Sequence, residues 1–204
     1  MYGAPIIAGD TLDFNPQGFA ATSTGGGIDL TDGQLNLLIQ AHSGYAIPMI
    51  QFSEAGDFSL AGFGTANTKV TVAATFFLDV LQVDGVGINP VSLTANMTFT
   101  PSPNGQFDLI NNAGIGNIWT GVFNFNLNDA LTSHGISFEN GATEVRVNLD
   151  NTLLAISEAG STAYIAKKDF KALGITVVPE PSVIAMSLFG VAALVLRSRS
   201  ARRA

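Results

Sequence analysis

The sequence contains no cysteine. Disulfide stapling, thiol catalysis and thiolate metal sites are therefore excluded, and burial alone has to hold the fold. Charge is scarce, at 12% of residues, and histidine scarcer, with two. His42 and His134 stand far apart and in no HxxxH or HExxH spacing, so each reads as a surface or loop residue before it reads as a ligand or base. No GxSxG elbow occurs, which disfavours a serine hydrolase. Positive charge is the most restricted resource. Ahead of residue 179 the only bases are Lys69, Arg146, Lys167, Lys168 and Lys171, expected as surface residues, against fifteen acids. A surface near −10 cannot neutralise a run of phosphates, so nucleic-acid binding is excluded.

What is present suits a β-rich extracellular domain. Hydrophobic residues make up 47%, with Gly 22 and Phe 14, and residues 1–178 suffice for one well-cored domain. Strand signals follow at short spacing. Gln34 to Ala41 places Leu35, Leu37 and Ile39 on one side, Tyr45 to Phe52 carries Pro48 as an edge or bulge signal, and Asp57 to Phe63 alternates. Lys69 to Val83 puts Val70, Val72, Ala74, Phe76, Leu78 and Val80 on one face, and Asp84-Gly85 follows as a turn pair. Val91 to Thr100 alternates without a break, with Val91, Leu93, Ala95, Met97 and Phe99 opposite Ser and Thr. Gly116 to Asn128 aligns Trp119, Phe123, Phe125 and Leu127. Glu144 to Asp150, Asn151 to Ser157 and Thr162 to Ala166 read as further strands. Lys167 to Leu173 fits either a strand or one helical face stopped by Gly174. Ile175 to Val178 runs extended. The fold class expected is all-β, an antiparallel sandwich or jelly roll of eight to ten short strands.

Candidate chemistry is thin. Thr22 to Gly27 is glycine-rich, but Ile28-Asp29 follows where a phosphate loop needs Lys-Ser/Thr, so it reads as a plain loop. Glycoside hydrolysis would need two close carboxylates in a cleft. Asp79 is the one acid in an apolar context, on the face of Phe77 and Leu81, and a solvated acid is its simpler reading. Asp29-Leu30-Thr31-Asp32-Gly33 and Asp84-Gly85 are the candidate loops for a structural calcium, although turn chemistry explains Asp-Gly without a metal. No other cofactor is expected. Trp119 could stack on a sugar, but its alternation with Phe123 and Phe125 assigns it to the core. No catalytic residue and no metal ligand is assigned, and the domain is expected not to be an enzyme.

The last stretch, Val178 to Ala204, has three pieces in order. Pro179-Glu180-Pro181 is a stiff, extended, charged triplet. Ser182 to Leu196 is an uncharged apolar run, expected as a helix spanning roughly 22 Å against a hydrocarbon core of about 30 Å. Arg197, Arg199, Arg202 and Arg203 form a basic tail in residues 197–204, which the positive-inside bias keeps cytoplasmic. The order, lengths and flanks resemble the PEP-CTERM sorting signal of exported bacterial proteins, with the triplet at 179–181 and the transmembrane helix at 182–196.

That resemblance implies recognition by an exosortase, a membrane-embedded cysteine transpeptidase, transient residence in the inner membrane, then transfer to the cell surface or matrix. It also implies association with exopolysaccharide and biofilm matrix. Two domains are expected, an exported sandwich over 1–178 and the signal over 179–204, with the exported part a structural protein. The alternative is a carbohydrate-binding or carbohydrate-cleaving module on the same routing. Export also requires a leader. Met1 to Leu12 has no base and only a brief apolar patch, so a leader upstream of Met1 is expected. The alternative, insertion by the tail alone, would put the arginines outside, against the positive-inside bias.

Overall fold

The computed structural model describes residues 2–167 and 173–178. Pro179-Glu180-Pro181, the run 182–196, the arginines Arg197, Arg199, Arg202 and Arg203, and the segment 168–172 lie outside them. Alternation builds most of what is described. The elements in order are β1 (Ile6–Ala8), β2 (Thr11–Phe14), β3 (Ala20–Thr24), β4 (Gly27–Gln40), β5 (Met49–Gly62), β6 (Lys69–Val83) and β7 (Val86–Asn96). There follow β8 (Phe99–Thr100), β9 (Gln106–Asp108), α1 (Leu109–Asn112), β10 (Gly114–Asn126), α2 (Leu127–Ser133), β11 (Ala142–Ser157), β12 (Ser161–Lys167) and β13 (Leu173–Val178). Among the described residues no helix is long and apolar enough to cross a membrane.

Two antiparallel sheets result. The first has eight strands, ordered β1-β2-β13-β5-β10-β8, with β12 beside β5 and β3 beside β12. The second is β4-β11-β6-β7, with β9 on the free side of β6. In the first sheet β5 is the spine. One side pairs with β10, while the other is shared by β13 along Met49 to Glu54 and β12 along Gly56 to Gly62. In the second sheet β11 holds that place, paired with β4 and β6 along nearly its whole length.

The faces that meet are aromatic. Phe52 of the first sheet lies 4.4 Å from Phe76 of the second, and Phe58 stacks on Phe107 at 4.3 Å. Each such pair adds about 0.5–1.5 kcal/mol beyond the area it buries. Trp119 is fully buried, as its alternation requires, and it fits because β5 has a glycine beneath it. A Cβ on Gly56 would come within 2.7 Å of the indole.

The all-β expectation therefore holds, with differences in detail. The expected strands Tyr45–Phe52 and Asp57–Phe63 merge into one, β5 (Met49–Gly62), which begins only after Pro48 and passes through Glu54. Glu144–Asp150 and Asn151–Ser157 are likewise one strand, β11. Asp29 to Gly33, read as a loop, lies inside β4 with its acids on the strand. Leu127 opens α2, where Asn126 caps the helix by accepting from Asp129 N, so β10 ends at Asn126, two residues before the expected end at Asn128. The alternation of Val91 to Thr100 holds throughout, yet the chain changes sheets within it, from β7 to β8. At Asp84-Gly85 both φ values are positive, +50° and +78°, as a two-residue hairpin turn requires.

Candidate functional site

The most unusual chemistry sits where none is expected, in the core between the sheets. Ile50, Phe52, Phe58 and Leu60 of β5 point inward, and Glu54 stands in the same phase. On β11, Val145, Val147, Leu149, Leu153 and Ala155 point inward, with Asn151 in phase among them. On β12 the inward series Ser161, Ala163, Ile165 ends at Lys167. Period-two geometry thus drives three polar side chains into one apolar layer. Lys167, expected at the surface, is a core residue, with its side chain and that of Glu54 both fully buried.

Their contacts form a closed set. Lys167 Nζ pairs with Glu54 Oε2 at 2.5 Å and donates to Asn151 Oδ1 at 2.7 Å. Asn151 Nδ2 donates to Glu54 Oε1 at 2.8 Å and to the Tyr2 hydroxyl at 2.9 Å. Glu54 Oε2 has Lys167 as its one partner among the described residues. Rings enclose the amine, with Phe19 at 5.6 Å and Trp119 at 5.9 Å from Nζ to centroid, both within cation–π reach. Burial pushes the Lys167 ammonium below its ordinary range, opposed by the charge and hydrogen bond of Glu54. Burial likewise pushes the Tyr2 phenol up, the Asn151 hydrogen bond opposing it. The set spans both sheets: Glu54 and Lys167 belong to the first, Asn151 to the second.

Surface candidates are plainer. Asp79 faces outward, accepts from Ser92 Oγ at 2.6 Å and lies 3.8 Å from Arg146. His134 ends α2, its Nδ1 donating to the Ala130 carbonyl at 2.9 Å. Ser133 Oγ lies 3.3 Å from that same nitrogen, so helix geometry brings together two side chains that an extended chain would have separated. His42 lines a groove of about 420 Å³ at one end of the sandwich, with Tyr45, Gln82, Asn140 and Thr143. Asp84, the one carboxylate on that groove among the described residues, accepts from the backbone N–H of Glu139, Asn140 and Gly141, which hold it below the usual carboxylate range. A second depression, of about 350 Å³, borders the core cluster at Phe19 and Lys167.

The calcium candidates are engaged on strands and turns. Asp29 accepts from Thr22 N at 2.7 Å and Asp32 from Thr152 Oγ1 at 2.9 Å. Asp150 neighbours Asp32 on the outward face of the second sheet, its carboxyl pushed up by burial first and by the Asp32 charge second. This carboxylate pair lies on an open sheet face rather than in a cleft. Among the described residues no three His, Asp or Glu side chains converge as metal ligands.

No family model matches the chain, and no curated protein does. Among solved structures, a tailspike protein enzymatically active domain of bacteriophage CBA120 aligns at 13% identity over 79% of this chain and 20% of its own, with a TM-score of 0.24. The infectious bursal disease virus Gx strain structure aligns at 13% identity over 98% of this chain and 56% of its own, with a TM-score of 0.15. The chain thus spans a fifth to about half of the length of these proteins. Superpositions this loose carry neither fold nor function to it.

Proposed function

We propose that the chain is an exported, exosortase-processed structural protein of the cell surface or extracellular matrix. In this reading a jelly-roll-like sandwich over 1–178 is followed by a transmembrane helix at 182–196 and a cytoplasmic tail bearing Arg197, Arg199, Arg202 and Arg203. The observation that carries it is where the last described strand ends. β13 keeps its register on β5 up to Val178, opposite Met49, and the next residue is Pro179. A cut at or just after Pro179-Glu180-Pro181 takes none of the described residues from either sheet. Proline fixes φ and restricts the residue before it, which suits the triplet to recognition by a processing enzyme, and Glu180 is the one charge in that segment. A plain anchor needs none of this. The partners are the exosortase, the inner membrane before processing and exopolysaccharide after it.

The test is the intact mass of the cell-surface form in the host. The expected mature species lacks Val183 to Ala204, and the variant with Pro179, Glu180 and Pro181 all changed to Ala stays full length in the membrane fraction. A surface species ending at Ala204, or a triple variant processed like the unaltered protein, reduces the tail to a simple anchor.

A second reading rests on the end groove. Tyr45 is 73% exposed beside Gln40, Gln82 and Asn140, the pairing of an aromatic face with amide groups that suits a sugar. It favours binding over cleavage, because glycoside hydrolysis needs two carboxylates about the scissile bond and the groove offers Asp84 alone among the described residues. Matrix polysaccharide should be retained by the protein and lost on Tyr45→Ala. Equal retention by the two forms removes this reading.

A further inference from the structure

We infer that the core cluster is a self-modifying site, in which Lys167 and Asn151 condense to an amide that covalently joins the two sheets, with Glu54 carrying the protons. The geometry has the parts such a reaction needs. The amine nucleophile donates at 2.7 Å to the carbonyl oxygen of the carboxamide it would attack, so it lies next to the carbon with which the bond would form, and reaction asks for about 3–3.5 Å between those two atoms. One carboxylate touches both ends of the exchange. Glu54 Oε2 meets the attacking Nζ, and Glu54 Oε1 accepts from the departing Nδ2 at 2.8 Å. The side chains of Glu54 and Lys167 are fully buried, which keeps bulk water from competing as nucleophile and strengthens each charge interaction.

The step balances without a co-reactant. A proton passes from the Lys167 ammonium to Glu54, leaving a neutral amine and a neutral acid. The Nζ lone pair forms a bond to Asn151 Cγ while the carbonyl π pair moves to Oδ1. Glu54 gives its proton to Nδ2 and takes one back from Nζ. The Cγ–Nδ2 bond breaks as the pair on Oδ1 returns, and ammonia leaves. Of the protons that begin on Nζ and Nδ2, one stays in the new amide, three leave in ammonia and the last rests on Glu54. Nothing is oxidised or reduced.

A structural salt bridge alone gives a weaker account of these residues. A fully buried ion pair seldom outperforms apolar side chains of the same volume, and here it is joined by a carboxamide whose two polar atoms face the two members of the pair. In a chain without cysteine, a bond from β11 to β12 is also the covalent tie between sheets that disulfides cannot supply. The inference stands apart from the tail reading, since it involves residues 54, 151 and 167 alone.

The experiment is mass spectrometry of the purified full chain and of its Glu54→Gln variant, which keeps shape and loses the proton carrier. The unaltered chain should fall short of its sequence mass by one ammonia, about 17 Da. Trypsin should leave Lys167 uncut, giving a Val147–Lys168 peptide that carries the deficit, and Glu54→Gln should show the full mass and normal cleavage. A folded, unaltered chain at full sequence mass overturns the inference. So does a gain of about 1 Da from simple amide hydrolysis, or an ammonia loss with Lys167 still cut. A deficit that persists in Glu54→Gln overturns the role of Glu54. Should that variant fail to fold, the tryptic map of the unaltered chain decides alone.

Discussion

Glu54 and Glu158 both bridge elements distant in sequence, one in the dry core and one at a wet end of the sandwich. Glu158 sits in the turn between β11 and β12 and holds the loop between β5 and β6. It accepts from Thr65 N at 2.6 Å, from Thr65 Oγ1 and from Thr68 Oγ1 at 3.1 Å. Those donors, the Thr65 backbone N–H foremost, hold its carboxyl below the usual range. Glu54 has the opposite surroundings. Its donors are an ammonium and a carboxamide, and its side chain is fully buried. The comparison teaches what a carboxylate costs in each place. At the wet end the group is a clamp that solvent can replace, whereas in the core each partner depends on the others.

The largest expected effect breaks the core set. Lys167→Met keeps the apolar stem but removes both the tie to Asn151 and the partner of Glu54, so urea unfolding should show a loss of at least about 3–5 kcal/mol, or no folded protein. A loss below about 1 kcal/mol, the scale of an exposed pair, would put the two sites in one class.

Glu158→Gln should cost less, and its cost should depend on pH. The folded-state value is lowered below the ordinary 4.5, so the stabilisation is complete above that value and is lost as pH falls through the lowered one. Melting temperatures of the two forms, measured from neutral pH downward, should differ at neutrality and converge in acid. A gap that widens on acidification would contradict the clamp. The smallest effect belongs to the exposed pair of Asp79 and Arg146, 3.8 Å apart with the arginine side chain 58% exposed. Arg146→Ala should change stability by about 0–0.5 kcal/mol, less in high salt.

Much of the sheet architecture is legible in the alternation, and the misreadings converge on the cluster. β6, β7 and β10 follow their apolar phase from Val70 to Val80, Val91 to Ala95 and Trp119 to Phe125, where no polar residue interrupts it. β5 and β11 each read as two strands, divided near Glu54 and at Asn151. A polar residue in the core phase ends a run when only local sequence is weighed, since its partner lies on another strand. The signal was nonetheless there. Extending the phase of Ile50 and Phe52 reaches Glu54 and then Phe58, that of Leu149 and Leu153 crosses Asn151, and that of Ala163 and Ile165 ends at Lys167. Three in-phase polar residues of complementary charge and hydrogen bonding predict each other as partners.

The first half of β4 was hidden differently. Its outward face carries Asp32 and Gln34, and its start is glycine-rich, so it has the composition of a loop while β11 holds it in register. α2 was missed because Leu127 continues the alternation of β10, although Asn126 with Asp129 three residues on is a helix-start signature.

The central claim is that Asn151 and Lys167, with Glu54 carrying the protons, join the sheets covalently, and cleavage at Glu158 tests it most directly. That residue lies between the two reacting positions. After complete glutamyl cleavage under denaturing conditions, the fragment ending at Glu158 and the fragment carrying Lys167 should stay together as one species, lighter than their sum by one ammonia. Two separate fragments, each at its sequence mass, would contradict the account.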